Sequence, residues 1–471
     1  MILCSVSPAS QCKQSFAGSV LVRSRKLGNA GAECNASHSG AQDALLPGVG
    51  PDRHFLGMPL ALLGGYIAIV FYMTGDGIEQ AFLSKYLVNL GFGASRAALV
   101  FTVYGATAAL SSWLSGVLAD VFSPRRIMLV GVAWWLVFHV LFLLFGLGHA
   151  NLALTLLFYG IRGFAYPLFF YGFFVWVVEK SRPHELAAAI GWTWAMFTIG
   201  YGIVGSYLPS FTIVWIGYMG TLWMSMLWVF AGGVLITLFT RTDPQLRQQK
   251  DEHLGPRSSK MAEISKCVTL IFRNRNIALA LVTRIICNLS LFGFPVIMPL
   301  FYTSHRIGFS VPQWARIWGT FFLVQPVTNV VWGLIGDRIG WMRQMRWFGF
   351  VGCGTASLLF YWLPLHFPHN MLAATVAALL FAFTVTSFVP MGAIFPMMEP
   401  DHKGAAVSVQ NLGGGLANFG GPMLAALILP VGGIAGVVVA YGVLYYLAAI
   451  LTLFIHVDQP KGTSAGSLAA H

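Results

Sequence analysis

Charged residues are scarce in this chain of 471 residues: only 9% are Asp, Glu, Lys or Arg, whereas 57% are hydrophobic. A soluble globular protein carries about a quarter charged residues, because its surface must be wetted. The deficit excludes an ordinary soluble fold and favours a chain surrounded by hydrocarbon. The net charge of +12 would suggest a nucleic-acid partner in a soluble protein. Here the basic residues lie between hydrophobic blocks, so we expect them to orient the chain in a membrane and to bind no nucleic acid.

Metal-ligand and catalytic patterns are lacking as well. The six cysteines form no CxxC pair, so we expect neither a metal site nor a disulfide framework. The sequence contains no HExxH motif and no GxxxxGK[ST] loop for ATP. We therefore expect no enzyme and no cofactor, and any transport must draw its energy from a gradient.

The hydrophobic residues occur in blocks of about 20, the length that crosses the hydrocarbon layer of a bilayer. These blocks predict an all-α membrane protein with twelve transmembrane helices. They lie near 59–82, 95–119, 127–148, 152–178, 186–207, 212–240, 276–301, 312–336, 345–365, 370–397, 403–429 and 432–456.

Polar segments divide the chain into five parts. Residues 1–57 are polar and rich in Gly, Ser and Ala, which predicts a disordered N-terminal tail. A polar linker at 241–275 separates six-helix bundles at 58–240 and 276–457, and residues 458–471 form a second tail.

The two halves resemble each other at an offset of 217 residues. At this offset Gly116 and Asp120, at the end of predicted helix 2, correspond to Gly333 and Asp337, at the end of predicted helix 8. The match of Asp120 with Asp337 is informative in a chain with only 16 acidic residues. The pattern predicts two pseudo-symmetric bundles that arose from a duplicated six-helix unit.

Lysine and arginine are distributed unevenly between the two sides of the predicted membrane. Most lie in loops that follow even-numbered helices or in the central linker. The opposite side holds Lys85, Arg96, Arg306 and Arg316. Because cytoplasmic loops carry the excess of basic residues, we expect a multi-pass protein of the cell inner membrane with both termini in the cytoplasm.

Two sequence motifs resemble a known superfamily. The segments GVLADVFSPRR at 116–126 and GLIGDRIGWMR at 333–343 resemble the loop motif of the major facilitator superfamily, although Ser123 stands where a glycine is usual. GDGIEQAFLSKYLV at 75–88 and IRGFAYPLFFYGFFVW at 161–176 resemble the polyol permease family, the ribitol and D-arabinitol transporters of bacteria. The resemblance implies the major facilitator fold and alternating access.

The resemblance also implies a gate at the cytoplasmic helix ends. In the superfamily, residues of this kind form salt bridges when the transporter faces outward. Ordinary flanking charge is the alternative explanation for the arginines. The corresponding positions are Gly116, Asp120, Arg125, Glu179, Arg182, Asp337 and Arg343.

Three charged residues within the hydrophobic blocks are candidates for proton coupling. Asp76 and Glu79 are three residues apart on predicted helix 1 and share a face. A carboxylate inside a membrane costs several kcal/mol unless it faces a wet cavity or a partner, although a position at the membrane interface is the ordinary alternative. An acid on helix 1 that faces Arg162 on helix 4 is similar to proton-coupled sugar symporters. We expect Asp76 to bind the proton beside Arg162, unless the two form a merely structural ion pair, and His139 to be an ordinary packed histidine.

Polar side chains on the presumed cavity helices are candidates for binding a solute. Amides and hydroxyls suit a polyol, because each hydroxyl of the substrate needs donors and acceptors. Hydrogen bonds between helices are the alternative role, and Arg284 would suit an anion. The candidates are Tyr166, Trp194, Arg284, Asn288, Gln325, Asn329, Gln410 and Asn411.

The residues therefore predict a secondary transporter of a small polar solute, and the resemblance implies that it imports a sugar alcohol, most simply a pentitol, by proton symport. An organic anion transporter or a sugar transporter of the same superfamily is the first alternative, and a solute sensor is the second. The expected partners are a small polar solute, protons and membrane lipid, and we expect a monomer.

Overall fold

The computed structural model of the chain describes residues 54–55, 58–181, 186–240, 269–399 and 403–457. The predicted tail 1–57 and the predicted linker 241–275 lie mostly outside these residues, and the tail 458–471 lies wholly outside them. A short antiparallel pair, β1 (His54–Phe55) and β2 (Met58–Pro59), precedes a 3-10 turn at Leu60–Leu62. The remaining described elements are helical.

The first half contains six helices. They are α1 (Leu63–Gly77, a 3-10 turn Ile78–Ala81 and Leu83–Asn89), α2 (Ala94–Phe122), α3 (Pro124–Leu141 and a π turn Phe142–Leu147), α4 (Leu152–Arg162 and Ala165–Lys180), α5 (Leu186–Phe197, a π turn Thr198–Val204 and Gly205–Tyr207) and, within Pro209–Phe239, the last turns of α5 and, beyond Gly217, α6.

The second half repeats this arrangement. It contains α7 (Arg275–Tyr302), α8 (Val311–Leu323 and Gln325–Ile339), α9 (Trp341–Gln344, a π turn Met345–Val351 and Gly352–His366), α10 (Met371–Thr386 and Met391–Met398), and α11 and α12, which share the segment Lys403–Leu451 and are separated at Gly433.

Ten of the described helical segments are long and apolar enough to cross a membrane. The segment Ala406–Leu451 holds both α11 and α12, because Gly433 has φ +59° and breaks it in two. The remaining helix, α1, is interrupted by its 3-10 turn and continues to Asn89, beyond the predicted end at residue 82. The prediction of twelve membrane helices is confirmed.

Backbone conformation at the turns shows the duplication directly. Nine described residues have a positive φ, and only Gly91 among them lacks a counterpart in the other half. Each pair occupies the same turn in its half, so the prediction of two pseudo-symmetric bundles is confirmed. The pairs, separated by 215 to 219 residues, are Gly93 and Gly308, Ser123 and Gly340, Ala150 and His369, and Gly217 and Gly433.

The halves meet at the end of the bundle that carries the turns after odd-numbered helices, which we call the odd end. Small residues allow this approach: a side chain on Gly319 of α8 would collide with Tyr207 of α5. Several hydrogen bonds cross between the halves here. They join Trp314 Nε1 to the Ala81 carbonyl (2.8 Å), Tyr207 to Thr320 (2.7 Å), Ser95 Oγ to the Ala426 carbonyl (2.7 Å), Ser84 Oγ to the Pro295 carbonyl (3.2 Å) and Arg316 Nε to Ser210 Oγ (3.5 Å). The described conformation is therefore closed at the odd end.

The turn between α2 and α3 contains a strained residue. Ser123 has φ +87° and ψ +141°, and its counterpart Gly340 has φ +95° and ψ +133°. Residues with a side chain rarely adopt this region, and doing so costs about 1–3 kcal/mol. The departure from the superfamily motif thus places strain at the position where the second half retains glycine.

Replacing Ser123 by glycine should relieve this strain. We expect Ser123→Gly to stabilise the protein by about 1 kcal/mol, measured as a rise in the midpoint of thermal unfolding of the purified protein in detergent. Gly340→Ser is the matched control, and it should lower the midpoint. A Ser123→Gly variant that unfolds at or below the wild-type temperature would contradict the assignment of strain.

Candidate functional site

A polar cluster lies inside the first half, between α1, α2, α3 and α4. Each member is at most 4% exposed, so the cluster is shielded from solvent and from lipid in this conformation. It consists of Asp76 and Glu79 of α1, Tyr104 of α2, Trp135 and His139 of α3, and Tyr159 and Arg162 of α4.

The glycines on either side of Asp76 explain why the cluster is dry. A Cβ atom on Gly75 would lie 2.6 Å from the carbonyl of Ser225 in α6. One on Gly77 would collide with the carbonyl of Tyr201 in α5. The Gly-Asp-Gly sequence therefore lets α5 and α6 pack directly against the backbone of α1 and leaves the Asp76 side chain to face the interior.

Asp76 is held by neutral donors. Its Oδ1 accepts a hydrogen bond of 2.7 Å from Trp135 Nε1 and one of 3.4 Å from the Tyr104 hydroxyl. Neither donor carries a charge. Asp76 therefore makes no direct ion pair with any described residue.

Arg162 pairs with Glu79. Arg162 Nη2 donates to Glu79 Oε1, which also accepts a hydrogen bond of 2.8 Å from the Tyr159 hydroxyl. We expected Asp76 to face Arg162, so this expected pairing is wrong in the described conformation. Residues three apart eclipse each other in a 3-10 turn, and the turn Ile78–Ala81 extends the face of Asp76 to Glu79. The longer Glu79 side chain then reaches the guanidinium.

His139 belongs to the same cluster. It is fully buried, as expected of a packed histidine, but its Nδ1 contacts Arg162 Nη1. Its ring also stacks on Trp135 with the ring centroids 4.2 Å apart. The sequence analysis separated His139 from the coupling residues and expected only a packed histidine. The available signal was the spacing of Trp135 and His139, which places them on one face of α3.

Aromatic rings surround the guanidinium of Arg162. Its Cζ lies 4.6 Å from the ring centroid of Tyr159, 4.9 Å from that of Trp135 and 5.6 Å from that of Tyr104. Such contacts are worth about 2 kcal/mol when the cation is desolvated. They stabilise a buried cation without adding negative charge.

The charges of the cluster do not balance. Its described members include two carboxylates, those of Asp76 and Glu79, and one guanidinium, that of Arg162. A net charge is costly in a dry interior, where attraction between opposite charges only partly offsets desolvation. One proton bound to a carboxylate makes the cluster neutral, so this site has the composition that a proton carrier requires.

The candidate solute-binding residues lie mainly in the second half. Arg284 of α7 is half-buried and its Nη1 donates to Cys287 Sγ at 3.3 Å, but its Nε has no hydrogen-bond partner among the described residues. A Cβ atom on Gly413 of α11 would lie 2.7 Å from Arg284 Cγ, so this glycine makes room for the side chain. In the described part of the chain, Arg284 has no carboxylate partner.

The other candidates differ in their surroundings. Tyr166 accepts a hydrogen bond of 3.4 Å from Asn418 Nδ2 and so joins α4 to α11 across the two halves. Gln325 is buried, and its Nε2 has no partner among the described residues. Trp194 is 44% exposed and packs against Phe170 and Phe197 of its own half. Half-buried positions are occupied by Asn288, Asn329, Gln410 and Asn411.

The predicted gate is only partly described. The surroundings of Gly116, the side chains of Asp120 and Asp337, and the whole of Arg182 lie outside the described part of the chain. Arg125 Nη2 donates to the Thr237 carbonyl of its own half at 2.9 Å. Glu179 and Arg343 are exposed. The gate assignments stay predictions.

The ion pair between Glu79 and Arg162 can be tested by removing one or both of its charges. Arg162→Met should destabilise the protein by about 3–5 kcal/mol, because Glu79 loses its partner in a dry interior. The double variant Glu79→Met with Arg162→Met removes both charges and should recover most of this loss. The measurement is thermal unfolding of the purified variants in detergent. A double variant no more stable than Arg162→Met alone would show that the pair is not the source of the effect.

Comparison with known proteins identifies the family of the chain and several relatives. Residues 65–398 match the family model of the Major Facilitator Superfamily. The chain is 49% identical to a D-arabinitol transporter of Klebsiella pneumoniae, over 87% of this chain and 95% of the relative. It is 48% identical to a ribitol transporter of the same species, over 88% and 96%. It is 35% identical to an alpha-ketoglutarate permease of Bacillus subtilis (strain 168), over 86% and 91%.

Solved structures share the fold at low sequence identity. A nucleoside transporter superposes with a TM-score of 0.68 at 13% identity, covering 84% of this chain and 99% of that one. A POT family transporter superposes with a TM-score of 0.66 at 15% identity, covering 86% and 97%. The resemblance inferred from the sequence motifs is confirmed, as is the expectation of a transporter rather than an enzyme. The chain belongs to the Major Facilitator Superfamily.

Proposed function

We propose that this chain imports a pentitol by proton symport through alternating access. The observation that carries the proposal is the buried cluster of two carboxylates and one guanidinium on α1 and α4. The substrate class is supported by the relatives that are 49% and 48% identical, a D-arabinitol transporter and a ribitol transporter.

Asp76 is the residue that takes the coupling proton. Glu79 already shares its charge with Arg162, whereas Asp76 accepts only from the neutral donors Trp135 and Tyr104. Protonation of Asp76 therefore neutralises the cluster without breaking an ion pair. A proton that binds more strongly in one conformation than in the other shifts the balance between them, which is the requirement for symport.

The pentitol binds between the halves, against the second half. A polyol needs donors and acceptors together, and Arg284 Nε and Gln325 Nε2 are donors without partners in the described part of the chain. Asn288 of α7, Asn329 of α8, and Gln410 and Asn411 of α11 supply amide groups. Tyr166 and Asn418 form the contact that the substrate would replace at the centre of the bundle.

The transporter lies in the cell inner membrane as a monomer with both termini in the cytoplasm. This orientation rests on the excess of basic residues in the loops after even-numbered helices. The odd end then faces outward, and the described conformation is closed to the outside. The predicted gate residues would act at the opposite end, as salt bridges of the outward-facing state.

Asp76→Asn should separate proton coupling from transport. We expect the variant to lose accumulation of labelled ribitol driven by an imposed pH gradient, because the amide cannot carry a proton. Exchange of the solute down its own gradient should survive. Both are measured in proteoliposomes that contain the purified protein.

The matched control is Glu399→Gln, another carboxylate-to-amide change. Glu399 pairs with the exposed Arg273 at 3.4 Å, outside the buried cluster, and this variant should still accumulate ribitol. Normal accumulation by Asp76→Asn would contradict the assignment of the coupling proton to Asp76. Equal losses in both variants would show that the effect is not specific to Asp76.

An organic anion is the second candidate substrate, and Arg284 is the observation that favours it. A half-buried guanidinium without a carboxylate partner among the described residues would bind a carboxylate well. The relative that is 35% identical is an alpha-ketoglutarate permease.

Competition distinguishes the two substrates. Unlabelled ribitol, arabinitol and xylitol should each reduce the uptake of labelled ribitol, whereas an equal concentration of 2-oxoglutarate should leave it unchanged. Arg284→Gln should weaken ribitol uptake only moderately, because the amide can still donate a hydrogen bond to an uncharged hydroxyl of the polyol. Strong inhibition by 2-oxoglutarate that disappears in Arg284→Gln would instead support the anion.

A further inference from the structure

We propose that His139 is a neutral positioning residue that holds Arg162 on Glu79 and away from Asp76. The proposal concerns a side chain that carries no charge yet contacts the single cation of the cluster. It rests on the proposed function only for its transport measurements, because its first test reads the state of the ring directly.

The hydrogen bonds of the ring fix its tautomer. His139 Nε2 lies 3.0 Å from the carbonyl oxygen of Leu222 in α6. A carbonyl can only accept, so Nε2 must carry the hydrogen. The Ser225 hydroxyl lies 3.3 Å from the same nitrogen, but it donates its own hydrogen to the Leu222 carbonyl at 2.6 Å. Ser225 therefore does not compete for the role of donor to Nε2.

The opposite nitrogen then serves as an acceptor. Nδ1 faces Arg162 Nη1, and a guanidinium can only donate. A second hydrogen on Nδ1 would set two donors and two positive charges against each other in a dry interior. His139 is therefore neutral while Arg162 occupies this position, and it is not the carrier of the coupling proton.

This contact divides the guanidinium between two partners. Nη1 donates to His139 and Nη2 to Glu79, so both terminal nitrogens are directed at partners other than Asp76. Trp135, one turn before His139 on α3, stacks on the imidazole and donates to Asp76. One face of α3 thus contacts both Arg162 and Asp76, the carboxylate that makes no direct ion pair with a described residue.

Other ionisable groups face Asp76 from the surrounding helices. None of them is cationic among the described residues, so Arg162 is the group whose displacement would alter the charge next to Asp76. They are Glu79 and Tyr72 of α1, Tyr104 of α2, Tyr159 and Tyr166 of α4 and Tyr201 of α5.

The first test observes the ring in the purified full-length protein. ¹⁵N-histidine labelling with NMR, in detergent, should show the tautomer with hydrogen on Nε2, and it should not titrate between about pH 5 and about pH 8. The spectrum of His139→Gln identifies the signal by its disappearance. A ring that titrates in this range, or one with its hydrogen on Nδ1, would overturn the proposal whether or not the protein carries pentitols.

The second test compares two substitutions in proteoliposomes. In His139→Gln the side-chain amide carries an acceptor oxygen and a donor nitrogen on one carbon, as the neutral imidazole carries an acceptor and a donor nitrogen on Cε1. Accumulation should therefore stay within about twofold of wild type, with an unchanged pH profile. His139→Leu offers no acceptor, so Arg162 is released toward Asp76. The pH midpoint of its uptake should move to lower pH by about one unit or more, as when an opposite charge approaches a carboxylate.

The two variants separate positioning from packing and from proton transfer. Loss of accumulation by His139→Gln with normal thermal stability would show that the ionisable ring is required, and this would overturn the proposal. If His139→Leu fails to fold, the NMR result and the activity of His139→Gln still decide it. A wild-type protein that transports no pentitol would contradict the proposed function but leave the NMR test in force.

Discussion

The ion pair between Glu79 and Arg162 is the interaction on which the first half depends. Two opposite charges in a dry interior stabilise a fold only when their geometry and remaining hydrogen bonds are well satisfied, and either charge alone is strongly destabilising. The surrounding residues supply that support: Tyr159 donates to the acid, and four aromatic rings, among them Phe142, and His139 contact the cation. The helices α1, α3 and α4 are thus held in one arrangement by this ion pair, because breaking it leaves a buried charge without a partner.

Close helix packing follows the same logic throughout the membrane part. In hydrocarbon, helices associate by van der Waals contact and by hydrogen bonds, so small residues mark the places where backbones meet. Gly75 and Gly77 seal Asp76 against α5 and α6, while Gly413 opens space for Arg284. The same residue type therefore excludes water from the proposed proton site and makes room for the proposed solute site.

Sequence reasoning predicted the twelve helices, the repeat and the superfamily, because each rests on periodic or bulk properties of the chain. It also selected Asp76, Glu79 and Arg162, since lone charges in apolar segments are conspicuous. It assigned the wrong partner to Arg162 because the change to 3-10 geometry at Ile78–Ala81 has no clear sequence signal. It did not group His139 with the coupling residues, because the role of a histidine depends on the helices that surround it and the sequence does not show which these are. Local pattern finds charged residues, but tertiary packing decides which of them touch.

The turn Ile78–Ala81 has one more consequence. Glu79 and Ala81 are two residues apart in it; Glu79 pairs with Arg162 inside the first half, whereas the Ala81 carbonyl accepts from Trp314 in the second half. Because both residues belong to one turn, a displacement of its backbone alters both contacts, and this links the energy of the ion pair to that of the closed odd end. Thermodynamic linkage makes such dependence reciprocal. In the symport that we propose, whatever separates the halves at this end changes the affinity of the buried cluster for a proton, and the proton changes the balance of open and closed forms by the same factor.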